Sequence, residues 1–281
     1  MFFSIIIPTC NRPELLKICL DKLSVASDKI ENELCEIIIT DDSINKFTQN
    51  LIKIYFPKFI WKAGPQRGPA ANRNNGAKFA QGKWLIFLDD DCEATYNFLY
   101  CYWIAIQKYP DSSVFEGKII TSRKFAHSME TAPVNMHGGN LWSCNFCIKS
   151  NFYKMLHGFD ETYLYPHLED VDLLKRIQYY QFPTFITDAI VIHPPRIMSD
   201  GFKLGKYHQF DIYFSEKFKI NYSLYSILKN IIFTRLNSIV NNPFSKYTFV
   251  SFYNMLIENI VVILNYNRWR RAFIGTNSKR K

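Results

Sequence analysis

Three consecutive acids, Asp89–Asp91, follow the apolar run WLIFL that begins at Trp84. An apolar run of this length is typical of a buried strand. Side chains at the carboxyl end of such a strand lie where open α/β sheets bind their ligands. Adjacent carboxylates repel one another, and a divalent cation with oxygen ligands, Mg²⁺ or Mn²⁺, relieves that repulsion. The stretch therefore predicts either a divalent-cation site or a plain acidic turn after a strand.

Other residues whose side chains could bind a ligand also follow predicted strands. Asp41 comes after CEIIIT, and the turn Gly64–Gly68 leads into a helix that carries Arg73. A cation bound by carboxylates usually completes its coordination with water and substrate phosphates. Arginines can pair with phosphates, a glycine lets the backbone approach closely, and the Asp41 carboxylate can accept a hydrogen bond from a base imide N–H. This set predicts a nucleotide diphosphate bound across the strand ends. The alternative for Asp41 is that it only forms a turn, and the alternative for Arg73 is that it is a surface residue of its helix.

Asp170 stands at the start of a predicted helix, Glu169–Gln181, behind an aromatic loop at 163–167. A carboxylate in this position can take the proton of an attacking hydroxyl, or it can simply cap the helix. His193 ends a later strand, where it either reaches the metal or diphosphate or serves a structural role. The second half of the chain is therefore expected to offer an acceptor site and a base.

The elements that must position these residues alternate between strand and helix. The predicted strands are Phe2–Ile7, Cys35–Thr40, Lys58–Lys62, Lys83–Leu88, Val114–Thr121, Leu141–Ile148 and Thr184–Ile192. Helices are predicted between most of them, which indicates βαβ units, a mostly parallel central sheet flanked by helices and the α/β class. From Gly201 the pattern becomes helical, with a last helix predicted over Tyr247–Tyr266. The predicted organisation is a domain over residues 1–200, with halves 1–95 and 96–200, and a helical C-terminal region over residues 201–281.

Charge is unevenly distributed along the chain. The 281 residues carry a net charge of +9, and residues 203–281 alone hold 13 Lys/Arg against 3 Asp/Glu. Such asymmetry indicates a separate partner for the basic region. An anionic membrane surface fits its interleaved aromatic residues, whereas packing on the first domain or a homodimer interface is the alternative. No nucleic-acid motif accompanies the charge, so nucleic acid is not expected as a partner. The start of the chain does not resemble a signal peptide, which predicts a cytoplasmic location, peripheral at the inner face of the plasma membrane if the basic region binds lipid.

Several of these segments, taken in order, resemble the family-2 glycosyltransferases of the GT-A fold. They are PTCNRPE, TDDS, GPAANRNNGAKFAQGKWLIFLDDDC, GGN and HGFDE…HLEDVDLLKRI, and they extend over about two thirds of the chain. The resemblance implies a metal-dependent, inverting transfer of a sugar from a nucleotide-diphosphate sugar to an acceptor hydroxyl. A basic region that binds membrane would fit a glycan or lipid-linked acceptor, as in cell-surface polysaccharide or glycolipid assembly. Cys10 stands where many relatives have an aromatic residue near the base, so the nucleotide is left open, with a UDP-sugar favoured.

The resemblance also implies roles for particular residues. The donor nucleotide would be held by Pro8, Thr9, Asp41, Gly68, Arg73, Asp89 and Asp90. Asp91 would be the principal ligand of the Mn²⁺ or Mg²⁺ ion, with Asp89 and His193 as further candidates. Asp170 would be the general base, and Glu169 would position the acceptor. Gly139 and Asn140 would line the sugar pocket, and Trp142 would belong either to the acceptor site or to the core.

Other functions fit the sequence less well. An aspartyl phosphatase needs Thr or Val soon after its second Asp, whereas Cys92 and Glu93 follow here. A nucleotidyltransferase acting on sugar phosphates needs a glycine-rich basic loop after the first strand, and PTCNRPE contains no glycine. A sugar-nucleotide-binding module without turnover is the remaining alternative, and the presence of Asp170 argues against it.

Overall fold

A computed structural model describes residues 1–28, 34–242 and 244–277. Contacts between Cα atoms divide the chain into two compact units. Unit 1 comprises Met1–Ser122 and Pro133–Pro194, and unit 2 comprises Arg123–Ala132 and Pro195–Lys281. All candidate site residues predicted from the sequence belong to unit 1.

The first half of unit 1 alternates strands and helices as predicted. Its elements are β1 (Phe3–Thr9), α1 (Pro13–Ser27), β2 (Cys35–Asp41), α2 (Phe47–Tyr55), β3 (Ile60–Ala63), α3 (Pro69–Phe79) and β4 (Trp84–Phe87). The four strands are parallel in the order β3-β2-β1-β4. Parallel register places Thr9 of β1 opposite Asp41 of β2. The carboxyl ends of β1, β2 and β4 therefore share one edge, as the sequence pattern predicted.

The remaining elements in chain order are β5 (Glu93–Ala94), α4 (Phe98–Lys108), β6 (Val114–Thr121), β7 (Glu130–Thr131), β8 (Phe146–Lys149), α5 (Ser150–Met155), α6 (Glu169–Ile177), β9 (Thr184–His193) and β10 (Arg196–Ile197). The large sheet continues as β4-β8-β6-β9-β5, and β8 runs antiparallel to both of its neighbours. The predicted strand Leu141–Ile148 is wrong in its first half. Leu141 has a positive φ of 43°, and Asn145 N donates to Trp142 O, so the strand begins only at Phe146.

Burial explains why β1 and β4 are apolar along their whole length. Every residue of both strands is buried, because helices cover the faces of this parallel part of the sheet. Ile5 and Ile7 belong to one core cluster with Leu16 and Leu20 of α1. This core holds the strand ends in fixed positions. The predicted α/β class with a mostly parallel sheet flanked by helices is confirmed.

Unit 2 is largely helical. It contains α7 (Gly201–Tyr207), α8 (Gln209–Phe218), α9 (Leu224–Val240) and α10 (Lys246–Asn277), together with the antiparallel pair β7 and β10. Its core cluster includes Ile227 and Ile231 of α9 and Val261, Val262 and Trp269 of α10. The last helix extends well beyond the predicted end at Tyr266, since no glycine or proline interrupts the chain before Gly275.

Candidate active site

Thr9 and Asp90 join the ends of β1 and β4. The Thr9 hydroxyl donates a 2.6 Å hydrogen bond to Asp90 Oδ2, and the side chain of Asp90 is fully buried. Burial raises the pKa of Asp90 to about 7, even though the nearby Arg12 lowers it. Asp90 is thus the inner member of the three acids, and it is held by the neighbouring strand.

Arg12 is a site residue that the sequence reasoning missed. Its guanidinium contacts Asp90 Oδ1 at 2.5 Å and Asp91 Oδ2 at 3.1 Å. Arg12 lies between β1 and α1, so a loop following the first strand supplies a cation to the acids that follow the fourth strand. The side chain of Arg12 is 40% exposed, so its guanidinium can be reached from solvent. The only signal in the sequence was its place directly after the strand-end segment PTCN.

Asp91 and His193 form the part of the site best suited to a metal ion. Asp91 Oδ1 lies 3.3 Å from His193 Nε2, while His193 Nδ1 lies 2.8 Å from the carbonyl oxygen of Pro194. A carbonyl only accepts, so Nδ1 carries a proton, and in the neutral ring the Nε2 lone pair faces Asp91. Two electron-pair donors this close fit a single divalent cation.

Cys92 lies near the same two ligands, because the ligand atoms of Asp91, Cys92 and His193 all fall within 4.8 Å of one another. Burial raises the pKa of the Cys92 thiol well above its ordinary value, so the thiol stays protonated. Hard cations prefer oxygen, and the donor set therefore reduces to Asp91 and His193. The Asp89 carboxylate pairs with Arg73 at 2.7 Å, and its role as a metal ligand stays a prediction.

Arg73 connects the acids of β4 with the start of α6. Its guanidinium lies 2.7 Å from Asp89 Oδ1 and 3.2 Å from Glu169 Oε1, and the whole residue is only 4% exposed. Burial lowers the pKa of Arg73, but Asp89 and Glu169 raise it by more, so the guanidinium stays charged. The alternative that Arg73 is a surface helix residue is wrong, because α3 packs this face into the interior.

Asp170 lies beside Glu169 in the first turn of α6 and is 7% exposed. Its Oδ1 accepts a 2.8 Å hydrogen bond from Val171 N, and the Ser143 backbone also hydrogen-bonds this carboxylate. Burial raises the pKa of both Asp170 and Glu169 above the ordinary range of carboxyl groups. The Ser143 contact places the chain segment next to Trp142 beside the candidate base.

A buried carboxylate, Glu116 of β6, shapes the Gly139–Asn140 segment. Glu116 accepts hydrogen bonds from the backbone N–H groups of Gly139, Asn140 and Leu141 at 2.6, 3.2 and 3.0 Å. Gly139 has a φ of 91°, and a Cβ at this position would meet nothing within 4 Å, so the glycine is needed for its backbone and not for space. Sequence reasoning found the glycines and missed the carboxylate that holds them.

The expected base-binding residues lie at the same sheet edge. Asp41 is buried and already accepts hydrogen bonds from Ser43 N and from Trp61 Nε1. Pro8 is buried within β1. Gly68 has a φ of 89°, and a Cβ there would come within 2.3 Å of Leu164 O, so only glycine fits against the loop before α6.

The mixed sheet, in which four parallel strands are followed by the antiparallel β8, has the α/β architecture of the GT-A fold. Residues 4–133 match Glycosyl transferase family 2. The resemblance to the family-2 glycosyltransferases that the sequence predicted is confirmed over this segment, which is just under half of the chain.

Curated relatives agree with this assignment. A poly(ribitol-phosphate) beta-glucosyltransferase of Bacillus spizizenii is 31% identical over 146 residues, which are 47% of this chain and 22% of that protein. A GalNAc(5)-diNAcBac-PP-undecaprenol beta-1,3-glucosyltransferase of Campylobacter jejuni is 32% identical over 95 residues, covering 32% of this chain and 29% of that protein. The matched segments thus span less than a third of either relative.

Solved structures share the fold. S. aureus TarS 1-349 superimposes with a TM-score of 0.58 at 20% identity, over 85% of this chain and 71% of that one. GalNAc-T7, solved with UDP, GalNAc and Mn²⁺, gives a TM-score of 0.58 at 18% identity, over 76% of this chain and 50% of that one.

Proposed function

We propose that residues 1–200 transfer a sugar from a nucleotide-diphosphate sugar, with a UDP-sugar favoured, to an acceptor hydroxyl with inversion at the anomeric carbon. The observation that carries the proposal is the continuous charged network at one sheet edge. In it Arg73 joins Asp89, the first of the three acids, to Glu169, which stands next to the candidate base Asp170. This network would hold the proposed donor site and the proposed proton acceptor in fixed positions relative to one another.

The donor side of the site would be formed by strands β1, β2 and β4. Thr9 and Asp90 would meet the ribose, Asp41 the base, and Asp91 with His193 would hold a divalent cation, Mn²⁺ or Mg²⁺. When bound, the cation stabilises the negative charge of the leaving diphosphate. Support comes from the TarS 1-349 structure with UDP-GlcNAc, which shares the fold at a TM-score of 0.55 and 20% identity over 75% of this chain and 66% of that one.

The acceptor side would use Asp170 as general base. As the acceptor oxygen forms its bond to the anomeric carbon, the bond from that carbon to the diphosphate breaks, and the diphosphate leaves with the electron pair. The acceptor proton passes to the Asp170 carboxylate, whose raised pKa makes it a stronger base than an exposed aspartate. Glu169 would position the acceptor, and Gly139, Asn140 and Trp142 would border the sugar.

The acceptor would be a glycan or a lipid-linked glycan. The name of one glucosyltransferase relative describes an undecaprenol-linked glycan as acceptor, and the name of the other describes a polyol-phosphate polymer, a poly(ribitol-phosphate). We further propose that residues 201–281 bring the domain to an anionic membrane surface on the cytoplasmic side, where such acceptors would be assembled. A homodimer through the same region is the competing arrangement.

A donor screen tests the proposal. Release of nucleoside diphosphate from a panel of nucleotide-sugars is measured with Mn²⁺, and binding of UDP is measured separately by calorimetry. Asp170→Asn should lower turnover by about 10²-fold or more while UDP still binds, since general-base catalysis contributes on that scale. Asp188→Asn, the same change at an exposed position of β9, is the matched control and should leave turnover unchanged. Unchanged turnover in Asp170→Asn would remove the base assignment, and donor binding without any turnover in the unaltered protein would favour a binding module.

A further inference from the structure

The long helix α10 buries a polar face. Thr248, Ser251, Asn254 and Glu258 are all buried, at 8% exposure or less. Each has a partner within unit 2: Asn254 Oδ1 accepts from Gly201 N, and Glu258 pairs with Arg235 at 2.9 Å and with His208 at 3.0 Å. The polar side of this half of the helix is therefore directed inward and satisfied there.

The opposite face of α10 is apolar and exposed. Five large apolar side chains recur at intervals of three or four residues, so they form one stripe along the helix. We call them the outer stripe: Phe249 (66% exposed), Tyr253 (64%), Leu256 (59%), Ile260 (49%) and Leu264 (76%). With a rise of 1.5 Å per residue the stripe is about 22 Å long. An amphipathic helix of a water-soluble fold normally turns such a stripe inward, so something apolar is expected to cover it.

Charge distinguishes among the surfaces that can cover the outer stripe. Lys246 before it and Arg270 and Arg271 after it fall on the same side of the helix at 100° per residue, and the two arginines are exposed. Glu258 is the one acidic residue of α10, and it is buried on the other face. The outer side of α10 is thus apolar along its middle, basic at both ends and without acids. This pattern complements an anionic lipid surface, where apolar side chains enter the acyl boundary and Lys/Arg meet the head groups.

We propose that α10 lies flat in the interface of an anionic membrane, with the outer stripe inserted and the helix axis parallel to the bilayer plane. Lys246–Ile274 is long and apolar enough to cross a membrane by length and composition. A crossing would place the Glu258, Arg235 and His208 network in the hydrocarbon, at high cost, whereas the flat arrangement leaves it inside the protein. The inference deepens the proposed membrane association and does not require that the donor site be correctly assigned.

Vesicle flotation with the full chain tests this surface. Vesicles of phosphatidylglycerol mixed with phosphatidylcholine are compared with vesicles of phosphatidylcholine alone. The double variant Leu256→Gln/Leu264→Gln changes two exposed side chains and should reduce binding to the mixed vesicles by at least about tenfold, because two inserted leucines are lost. Arg270→Gln/Arg271→Gln should remove most of the preference for phosphatidylglycerol.

The matched control removes comparable exposed apolar surface elsewhere. Tyr179→Gln/Phe182→Gln alters side chains that are 68% and 75% exposed in unit 1, and its binding should equal that of the unaltered protein. Equal binding by the α10 variant, or no binding by the unaltered protein, would overturn the proposal. A dimer in sedimentation that Leu256→Gln/Leu264→Gln converts to monomer would assign the stripe to a second copy instead, and resistance to alkaline carbonate extraction would assign α10 to a membrane span. UDP binding, measured on the same samples, reports separately on the donor site.

Discussion

Replacing Arg73 by methionine should destabilise unit 1 more than any surface ion pair can account for. The guanidinium lies 2.7 Å from Asp89 and 3.2 Å from Glu169, with side-chain exposures of 5%, 19% and 4% for Arg73, Asp89 and Glu169. Methionine keeps most of the apolar stem and removes the charge. The two carboxylates then remain in a poorly hydrated site without their cation.

The magnitude follows from that burial. Removing one partner of a buried ion pair costs about 3–5 kcal/mol, mostly because the remaining charge stays buried and uncompensated. The double variant Arg73→Met/Glu169→Gln should recover part of the lost free energy of unfolding, because the carboxylate of Glu169 is then replaced by a neutral amide. The expected coupling energy between the two substitutions is about 1–3 kcal/mol. Arg67→Met is the matched control, because Arg67 also pairs with a glutamate, Glu161, but is 58% exposed. Arg67→Met should lower the free energy of unfolding by no more than about 1 kcal/mol.

Urea unfolding at neutral pH measures these differences. Tryptophan fluorescence and far-UV circular dichroism are recorded together, because the two units need not unfold in one transition. A free-energy loss in Arg73→Met no larger than in Arg67→Met would refute the reasoning. So would a double variant that is no more stable than Arg73→Met alone.

Three further predictions concern residues that sequence reasoning did not single out. Arg12→Gln should raise the affinity for Mn²⁺ without nucleotide by about tenfold, because a cation 3.1 Å from Asp91 is removed; calorimetry that finds equal or weaker binding would contradict this. Glu116→Ala should lower the free energy of unfolding by about 2–4 kcal/mol and speed amide hydrogen exchange at Gly139, because buried N–H groups lose their acceptor. Unchanged exchange at Gly139 would argue against Glu116 as the acceptor that holds this segment. His208→Gln should have a pH-dependent effect on the stability of unit 2. Burial lowers the pKa of His208, but Asp211 and Glu258 raise it by more, to about 9. The stabilisation of the folded state by protonated His208 is therefore complete below about pH 6.5, the pKa of histidine in the unfolded chain. This stabilisation is lost as the pH rises through 9. The stability difference between the unaltered protein and the variant should shrink by about 1–3 kcal/mol between pH 6 and pH 9.5 in urea titrations, and a constant difference would exclude the linkage.

Local patterns were sufficient for much of the fold and for the choice of candidate residues. The apolar runs before Asp41 and Asp89–Asp91 identified parallel strands and the edge where they end, because burial on both faces imposes such runs. Pro69, a residue type favoured at the first position of a helix, begins α3 directly after the turn Gly64–Gly68. The same reasoning failed at Leu141–Asn145, where an apolar pattern is present but the backbone N–H of Leu141 bonds to Glu116 instead of to a neighbouring strand.

The sequence by itself determined which residues stand at strand ends and which family their order resembles, because both can be read along the chain without knowing which segments meet. Only the tertiary structure decided which charges meet. Arg12 and Asp90 are 78 positions apart and Arg73 and Glu169 are 96 apart, and topology alone brings them into contact. It also decided which face of α10 is covered: periodicity reveals an apolar stripe and a polar one, but the partners of Glu258 and Asn254 turn the polar stripe inward and leave the apolar one exposed.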